Sequence, residues 1–323
     1  MRPAGPGSRV GLVAPSSPFD RNEFESGVAE LRRLGFEPVY DERVFERRGY
    51  VAGEPESRVA QLIDLWQRTG ADAVDAIIAI RGGYGSLQML PSLSRLGAPI
   101  LVKPMGSLVG YSDITSLHIW LNCCAGTTSI HGPMIDHRIS RGPAKYDPAS
   151  FLASLKPEPM GELRPEGVEV LKAGEAEGPL IGGTLTQLLA SLGTPWAFDP
   201  AEGSVLFIEE VGERPYRIDR MLVQLRLAGL LAKASAIVFG QMPRCDENDG
   251  AVTAKATVAD VLSDFPGPIL YGFPSGHTTT PFVTLPFGVH TRVLAPNETK
   301  PGASNSGAGL VIEESGVGDG GDE

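Results

Sequence analysis

The chain has 323 residues, more than one ordinary domain of about 100–200 residues, and this length predicts two domains. Its formal net charge of -11 argues against a nucleic-acid-binding protein, and its 42% hydrophobic content is enough for a large core. Its three cysteines, two of them adjacent, fit neither a disulfide framework nor a cysteine-rich zinc site, so we expect a reducing compartment. We see no targeting segment and no apolar run near the ~18 residues of a membrane span, so we expect a cytoplasmic protein without membrane contact.

The first 130 residues alternate strand and helix patterns. Strands are predicted at 9–15, 37–40, 74–80, 100–102 and 108–111, and helices at 22–34, 58–66, 86–96 and 114–121. Because strands that alternate with helices form βαβ units, this half is predicted to be an α/β domain with a parallel sheet, covering residues 1–138.

The pattern weakens over residues 139–177, where proline, glycine and charge increase, and this segment is predicted to be the interdomain connection. A second domain is predicted at 178–314, with helices at 184–192 and 219–230 and strands at 204–209, 234–239, 269–271, 289–294 and 309–312. Residues 315–323 are predicted to form a disordered acidic tail. Residues 313–323 carry five acids and no base, so nearly half of the net charge lies at this end.

Two loops after predicted strands carry candidate chemistry, because ligand sites in parallel sheets lie beyond the carboxyl ends of strands. Residues 81–85 (RGGYG) can bring backbone N–H groups close to a ligand, although a simple glycine turn is the alternative. Ser112 follows Gly110 at a strand-to-helix corner, an arrangement similar to the elbow that exposes a nucleophilic serine. Ser112 or Asp113 could instead cap the helix.

A serine nucleophile needs a histidine base and an acid that orients the histidine. Among five histidines, His277 is best placed, since it lies in a glycine-containing loop after the strand at 269–271. Structural or surface positions are predicted for the others, which are His118, His131, His137 and His290. Glu209 and Glu210 end the strand at 204–209 and face opposite sides, so one of them points away from solvent; a surface acidic run is the alternative. The histidines and cysteines show no metal-ligand spacing, so we predict no metal.

Together these segments resemble the LD-carboxypeptidase family of serine peptidases, which includes murein tetrapeptide carboxypeptidases and microcin C immunity proteins. The resemblance extends over almost the whole chain. Its segments are VGLVAPSSP, AIIAIRGGYGS, LVGYSDITSLH, IHGPM, GPLIGGTLTQLLASLGTP, LFIEEVGERPYRIDRMLVQL, IVFGQM and GFPSGH.

The resemblance implies a flavodoxin-like or amidotransferase-like parallel sheet and a second, smaller, mostly β domain, with the active site in the cleft between them. It implies a catalytic triad in which Ser112 is the nucleophile, His277 the base and Glu209 the acid, while Glu213 stays open as an alternative acid. The backbone N–H groups of Gly83 and Asp113 would form the oxyanion hole. Asp219 is expected to cap a helix.

The implied activity is release of the terminal D-alanine from murein tetrapeptides in cell-wall recycling, with no metal or organic cofactor and with a homodimer as the expected assembly. One alternative is a microcin immunity-type hydrolase of aminoacyl-nucleotides, for which Trp196 is a candidate stacking partner, although a core position is the alternative for this residue. Another is a non-catalytic ligand-binding protein on the same scaffold, against which the joint presence of Ser112, Glu209 and His277 argues.

Overall fold

The computed structural model describes residues 1–97, 105–297 and 307–318. The strand predicted at 100–102 and residues 319–323 of the predicted tail lie outside these ranges. None of the described helices is both long and apolar enough to cross a membrane.

The first half of the chain builds a sheet that is almost entirely parallel. Its strands are β1 (Arg9–Val13), β2 (Glu37–Val39), β3 (Ala76–Ala79), β4 (Ser107–Gly110) and β5 (Ser129–His131), with β12 (Leu285–Phe287) added from the second half. Its helices are α1 (Arg21–Arg33), α2 (Pro55–Gln67), α3 (Leu90–Gly97) and α4 (Thr115–Ile119). The strand order among the described residues is β12-β5-β4-β3-β1-β2, and only the β12–β5 pairing is antiparallel. The predicted α/β architecture of this half is confirmed.

The second half builds a mixed sheet. Its strands are β6 (Gly161–Leu163), β7 (Glu169–Lys172), β8 (Gly174–Thr184), β9 (Ser204–Glu209), β10 (Ala234–Gly240), β11 (Ile269–Phe273), β13 (His290–Ala295) and β14 (Gly309–Ile312). Its helices are α5 (Pro148–Ser154), α6 (Leu185–Ser191), α7 (Pro215–Leu227) and α8 (Ala254–Val261). The described order is β6-β14-β13-β8-β9-β10-β11-β7, with a parallel centre from β8 to β11 and antiparallel flanks. This parallel centre presents the carboxyl ends of four strands side by side.

The segment predicted as a connection, 139–177, contains α5, β6, β7 and the start of β8, and its strands pair within the second sheet. The domain boundaries themselves stay a prediction. The expectation that Asp219 caps a helix is wrong, because α7 begins four residues earlier at Pro215. Proline at the first helical position has a suitable fixed φ and needs no hydrogen bond for its nitrogen.

An aromatic cluster joins the two sheets at β5. The His131 ring lies 5.1 Å from the rings of Phe207 and Phe287 and 5.5 Å from that of Phe282, measured between centroids. His131 is fully buried, and neither ring nitrogen has a hydrogen-bond partner among the described residues. Burial lowers the pKa of His131 to about 3, so the folded protein keeps this ring neutral.

We expect His131 to make the fold acid-sensitive. Its ordinary pKa of 6.5 returns on unfolding, so the unfolded chain binds a proton below that pH while the folded protein does not. The stability that depends on a neutral His131 is therefore fully present above pH 6.5 and is lost as the pH falls toward 3. Below about pH 6, each unit of falling pH should lower the free energy of unfolding of the wild type by about 1.4 kcal/mol more than that of the variant His131→Phe. Urea unfolding at pH 7 and pH 5 measures this, and equal losses in both proteins would contradict it.

Candidate active site

Ser112 lies at the sharp corner between β4 and α4, in the segment 110–113, which we call the Ser112 corner. Its φ is 64°, a left-handed conformation that is uncommon outside glycine and is found where a strained turn presents a functional side chain. His118 binds the corner to β5. Its Nε2 donates to the Gly110 carbonyl and its Nδ1 accepts from the Ser129 hydroxyl, both at 2.9 Å. The predicted structural position of His118 is thus confirmed.

Neither Ser112 nor Asp113 acts as the helix cap considered above, because the turn at 112–114 has no side-chain cap. The buried Asp113 carboxylate instead accepts hydrogen bonds from Ser16 Oγ at 2.5 Å and from the Ser86 backbone N–H at 2.7 Å. The buried Arg58 guanidinium adds donations to the Pro15 and Gly85 carbonyls at 2.5 and 2.9 Å. These bonds hold the loop after β1 and the glycine loop (residues 81–85) against the Ser112 corner.

The glycine loop packs directly on the nucleophile candidate. A Cβ placed on Gly82 would lie 3.0 Å from Ser112 Cβ, so a larger residue would displace the serine. Gly83 has a φ of 100°, which favours glycine. Its N–H donates to no residue in the described ranges, and the Asp113 N–H lies in the first turn of a helix, where backbone donors lack helical partners. Two backbone donors are therefore offered beside Ser112.

Glu209 ends β9 and is fully buried, and it pairs with the partly exposed His277 in the loop after β11. The His277 backbone N–H and ring Nδ1 both donate to Glu209 Oε2 at 2.8 Å, and the Thr184 hydroxyl donates to Oε1. A Cβ on Gly276 would lie 2.5 Å from Glu209 Cδ, so only glycine allows this close approach. With Nδ1–H bound to the carboxylate, Nε2 of the neutral ring is the nitrogen left to accept a proton.

Glu209 and His277 shift each other's pKa. Burial alone would raise the pKa of Glu209, but the charge and hydrogen bonds of His277, with the hydroxyl of Thr184, outweigh it and hold the pKa at about 2. Burial alone would lower the pKa of His277, but the Glu209 carboxylate raises it above its ordinary 6.5. The pair thus keeps an ionised acid beside a histidine with increased basicity.

The other two acid candidates do not contact His277. Glu210 is buried on the opposite side of β9 and accepts from the backbone N–H groups of Thr186 and Val211, both at 2.9 Å. Glu213 pairs with Arg217 Nη1 at 3.1 Å, one turn away along the chain. The geometry therefore favours Glu209 over Glu213.

Tyr111 and Arg138, which were absent from the predicted site, lie between the Ser112 corner and the Glu209–His277 pair. The Tyr111 ring lies 5.1 Å from the His277 ring, and Arg138 Nε donates to the Tyr111 hydroxyl at 3.3 Å. The Ser112 hydroxyl forms no hydrogen bond with any described residue, so Tyr111 is the side chain that connects its corner to His277. Hydrogen bonds between a nucleophile and its base often form fully only when substrate binds. A signal for Arg138 existed, since a basic residue follows the IHGPM segment closely.

Two of the remaining histidines, His137 and His290, belong to groups of possible metal ligands outside this cluster. Glu23, Asp136 and His137 place ligand atoms within 4.8 Å of one another, as do Glu177, His290 and Glu313. Arg141 already pairs with Glu23 at 2.9 Å, which disfavours a cation there. In the second group, Glu313 is already bound by Arg292 at 3.1 Å. We assign no ion to either group.

The chain matches known proteins along most of its length. Residues 10–132 match the LD-carboxypeptidase N-terminal domain and residues 177–293 match the LD-carboxypeptidase C-terminal domain. A probable murein peptide carboxypeptidase of Bacillus subtilis is 30% identical over 305 residues, 91% of this chain and 91% of that protein. The crystal structure of a muramoyltetrapeptide carboxypeptidase from Oxalobacter formigenes has a TM-score of 0.78 and 29% identity, covering 95% of this chain and 99% of that one.

The structure of MccF in complex with glutamyl sulfamoyl guanosine has a TM-score of 0.84 and 24% identity, covering 98% of this chain and 99% of that one; this likeness shows a shared fold. Fold and matches together define a serine-type hydrolase built on two sheets. The chain belongs to the LD-carboxypeptidase family.

The Glu209–His277 contact gives a direct test of which acid faces the base. Replacing Glu209 by Gln removes the charge that raises the pKa of His277, so this pKa should fall below its wild-type value. NMR titration of the His277 ring measures the change. The matched control is Glu213→Gln, which removes a carboxylate paired with Arg217 and should leave the His277 titration unchanged. The reverse pattern would assign the acid to Glu213.

Proposed function

We propose that this protein is an LD-carboxypeptidase that releases the terminal D-alanine of murein tetrapeptides through a triad of Ser112, His277 and Glu209. The observation that carries the proposal is the pairing of the buried Glu209 with His277, whose ring lies 5.1 Å from that of Tyr111, the residue before Ser112. Nucleophile, base and orienting acid are the parts that acyl transfer by a serine requires.

In the proposed mechanism, Ser112 Oγ attacks the carbonyl carbon of the bond before D-alanine while His277 Nε2 takes the hydroxyl proton. The tetrahedral intermediate collapses, the C–N bond breaks, and His277 gives its proton to the D-alanine nitrogen, which leaves as the free amine. Water then attacks the acyl ester and passes a proton to His277. The ester C–O bond breaks, and the proton returns to Ser112 Oγ. Glu209 stays ionised throughout, in line with its pKa of about 2.

The N–H groups of Gly83 and Asp113 are the proposed oxyanion hole. Gly83 follows Gly82, which packs on Ser112, and Asp113 follows Ser112 at the start of the helical turn. Each such donor contributes on the order of 3 kcal/mol of transition-state stabilisation in serine hydrolases. The buried Asp113 carboxylate supports this arrangement, because its bond to the Ser86 N–H holds the far end of the glycine loop.

The names of the relatives support the murein substrate. The Bacillus subtilis relative is a probable murein peptide carboxypeptidase, and the Oxalobacter formigenes structure is of a muramoyltetrapeptide carboxypeptidase. The immunity-type alternative has weaker support, because the likeness to MccF at 24% identity concerns the fold. Trp196, the candidate for stacking on a nucleobase, packs instead against the hydrophobic core of the first half.

We also propose a cytoplasmic homodimer that acts in cell-wall recycling. The free thiols of Cys123, Cys124 and Cys245 support a reducing compartment. Sedimentation equilibrium at micromolar concentration tests the assembly, and fractionation of the native host tests the location.

Substitution of Ser112 by Ala tests the nucleophile. We expect the variant to release D-alanine from a murein tetrapeptide about 10⁴-fold more slowly than the wild type, because alanine has no hydroxyl to form the acyl-enzyme. Release is followed with a D-amino acid oxidase assay. A control is Ser263→Ala, an exposed serine after α8 and outside the proposed site, which should retain wild-type activity. Undiminished release by Ser112→Ala would exclude the triad. Turnover of an aminoacyl-sulfamoyl nucleoside in place of the tetrapeptide would favour the immunity-type alternative.

The pH dependence tests the base. Because only neutral His277 accepts the serine proton, kcat/KM should fall as the pH drops below the His277 pKa, which lies above 6.5. In Glu209→Gln this acidic limb should move to lower pH, and the plateau should fall by about 10³–10⁴-fold because the ring is no longer oriented. Initial rates from pH 5 to pH 9 measure both effects. An acidic limb at the same pH in the two proteins would show that Glu209 does not act on the base.

A further inference from the structure

Arg138 is a buried cation between the two halves of the proposed active site. It follows β5 and belongs to the first half of the chain, yet only 7% of its surface is exposed. Its Nη2 donates to the carbonyl groups of Gly276 and Thr278, both at 3.0 Å, and these two residues flank His277. We call residues 276–278 the His277 loop. One guanidinium nitrogen therefore binds this loop on both sides of the base.

The same guanidinium binds the Ser112 corner. Its Nε donates to the Tyr111 hydroxyl at 3.3 Å, and its central carbon lies 5.7 Å from the Tyr111 ring centre and 5.6 Å from that of Phe282. Its Nη1 donates to the Lys145 carbonyl at 3.1 Å. Four of the five guanidinium N–H groups are thus used within the protein. Arg138 is consequently unsuited to bind a substrate carboxylate, since its donors are occupied and its surface is covered.

We infer that Arg138 is a positioning residue that holds the His277 loop at the distance from the Ser112 corner that proton transfer requires. This inference rests on the proposed triad. The base and the nucleophile come from different sheets, and a planar fork that donates to two carbonyl groups fixes both the position and the orientation of the loop. An ammonium group on a flexible stem cannot reproduce this geometry. Misplacement of reacting groups by about 1 Å can cost about 100-fold in rate.

Arg138 also acts on the base through its charge. The positive charge of Arg138 works against protonation of His277 and so opposes part of the effect of Glu209. Besides Glu209 and Arg138, the nearby charged group is Glu210, whose carboxylate favours protonation. Removing the Arg138 charge should therefore move the acidic limb of the pH profile to higher pH, which is opposite to the shift expected for Glu209→Gln.

The experiment compares Arg138→Ala, Arg138→Lys and Arg141→Ala in the full chain. Arg141 is a matched control, because it lies one turn away and forms a partly exposed pair with Glu23. We expect Arg138→Ala to lose about 100-fold in kcat with little change in KM, and to regain activity when guanidinium ion is added below its unfolding concentration. Arg138→Lys should keep the position of the acidic limb but remain slow. Arg141→Ala should match the wild type and should not respond to guanidinium.

A second readout separates this inference from the substrate assignment. The rate at which a fluorophosphonate labels Ser112 depends on the geometry of the base but not on a murein substrate. Slow labelling of Arg138→Ala, restored by guanidinium, would support positioning even if the wild type released no D-alanine, an outcome that would overturn only the proposed substrate. Unchanged labelling and kcat in Arg138→Ala would overturn the inference. The inference would also be overturned if the activity loss of Arg138→Ala matched its unfolded fraction in thermal melts, if guanidinium did not restore activity, and if the acidic limb stayed at the wild-type pH.

Discussion

The buried contact between Glu209 and His277 is the interaction on which the rest of the site depends. A carboxylate in the protein interior is costly unless it is paired and hydrogen-bonded, and Glu209 receives donors from His277 and Thr184. Thr184 ends β8, the strand next to β9, whereas His277 lies in the loop after β11, which is separated from β9 by β10. The parallel centre of the second sheet is therefore the feature that lets one carboxylate be fully satisfied and still face a neighbouring histidine.

The proposed nucleophile, Ser112, follows a strand of the other sheet, so the proposed chemistry depends on how the two sheets are joined. The strand β12 leaves the second half to pair with β5, and the aromatic cluster around His131 fills the space between them. On the other side, the Thr184 N–H donates to the Thr115 hydroxyl at 3.1 Å, which ties the start of α6 to α4. Thr184 also binds Glu209, and Thr115 lies three residues after Ser112. The packing between the two sheets therefore also sets the position of Ser112 relative to Glu209.

Most elements could be predicted from local sequence, and the reasons for the exceptions are physical. The strand Ser204–Glu209 and the strand Gly309–Ile312 were predicted with their observed bounds, because each is a short apolar run. The strands at 161–163 and 169–172 were missed, since they lie on the flanks of the second sheet, are largely exposed and carry little apolar signal. The helix at Ala254–Val261 was also missed, because its eight residues give only a weak helical period.

The site shows a similar division between what is local and what is not. A strained corner at Ser112 and a glycine loop could be inferred from spacing, because those features are consequences of a few adjacent residues. Glu209 was preferred to Glu213 from the sequence, and the fold adds the reason, because the carboxylate that contacts the His277 loop is that of Glu209. Arg138 was harder to predict, because three of its four hydrogen-bond partners are backbone carbonyls and only its position after the IHGPM segment marks it in the sequence. Residues that act by binding backbone across an interface are therefore the part of an active site that sequence motifs alone are least able to reveal.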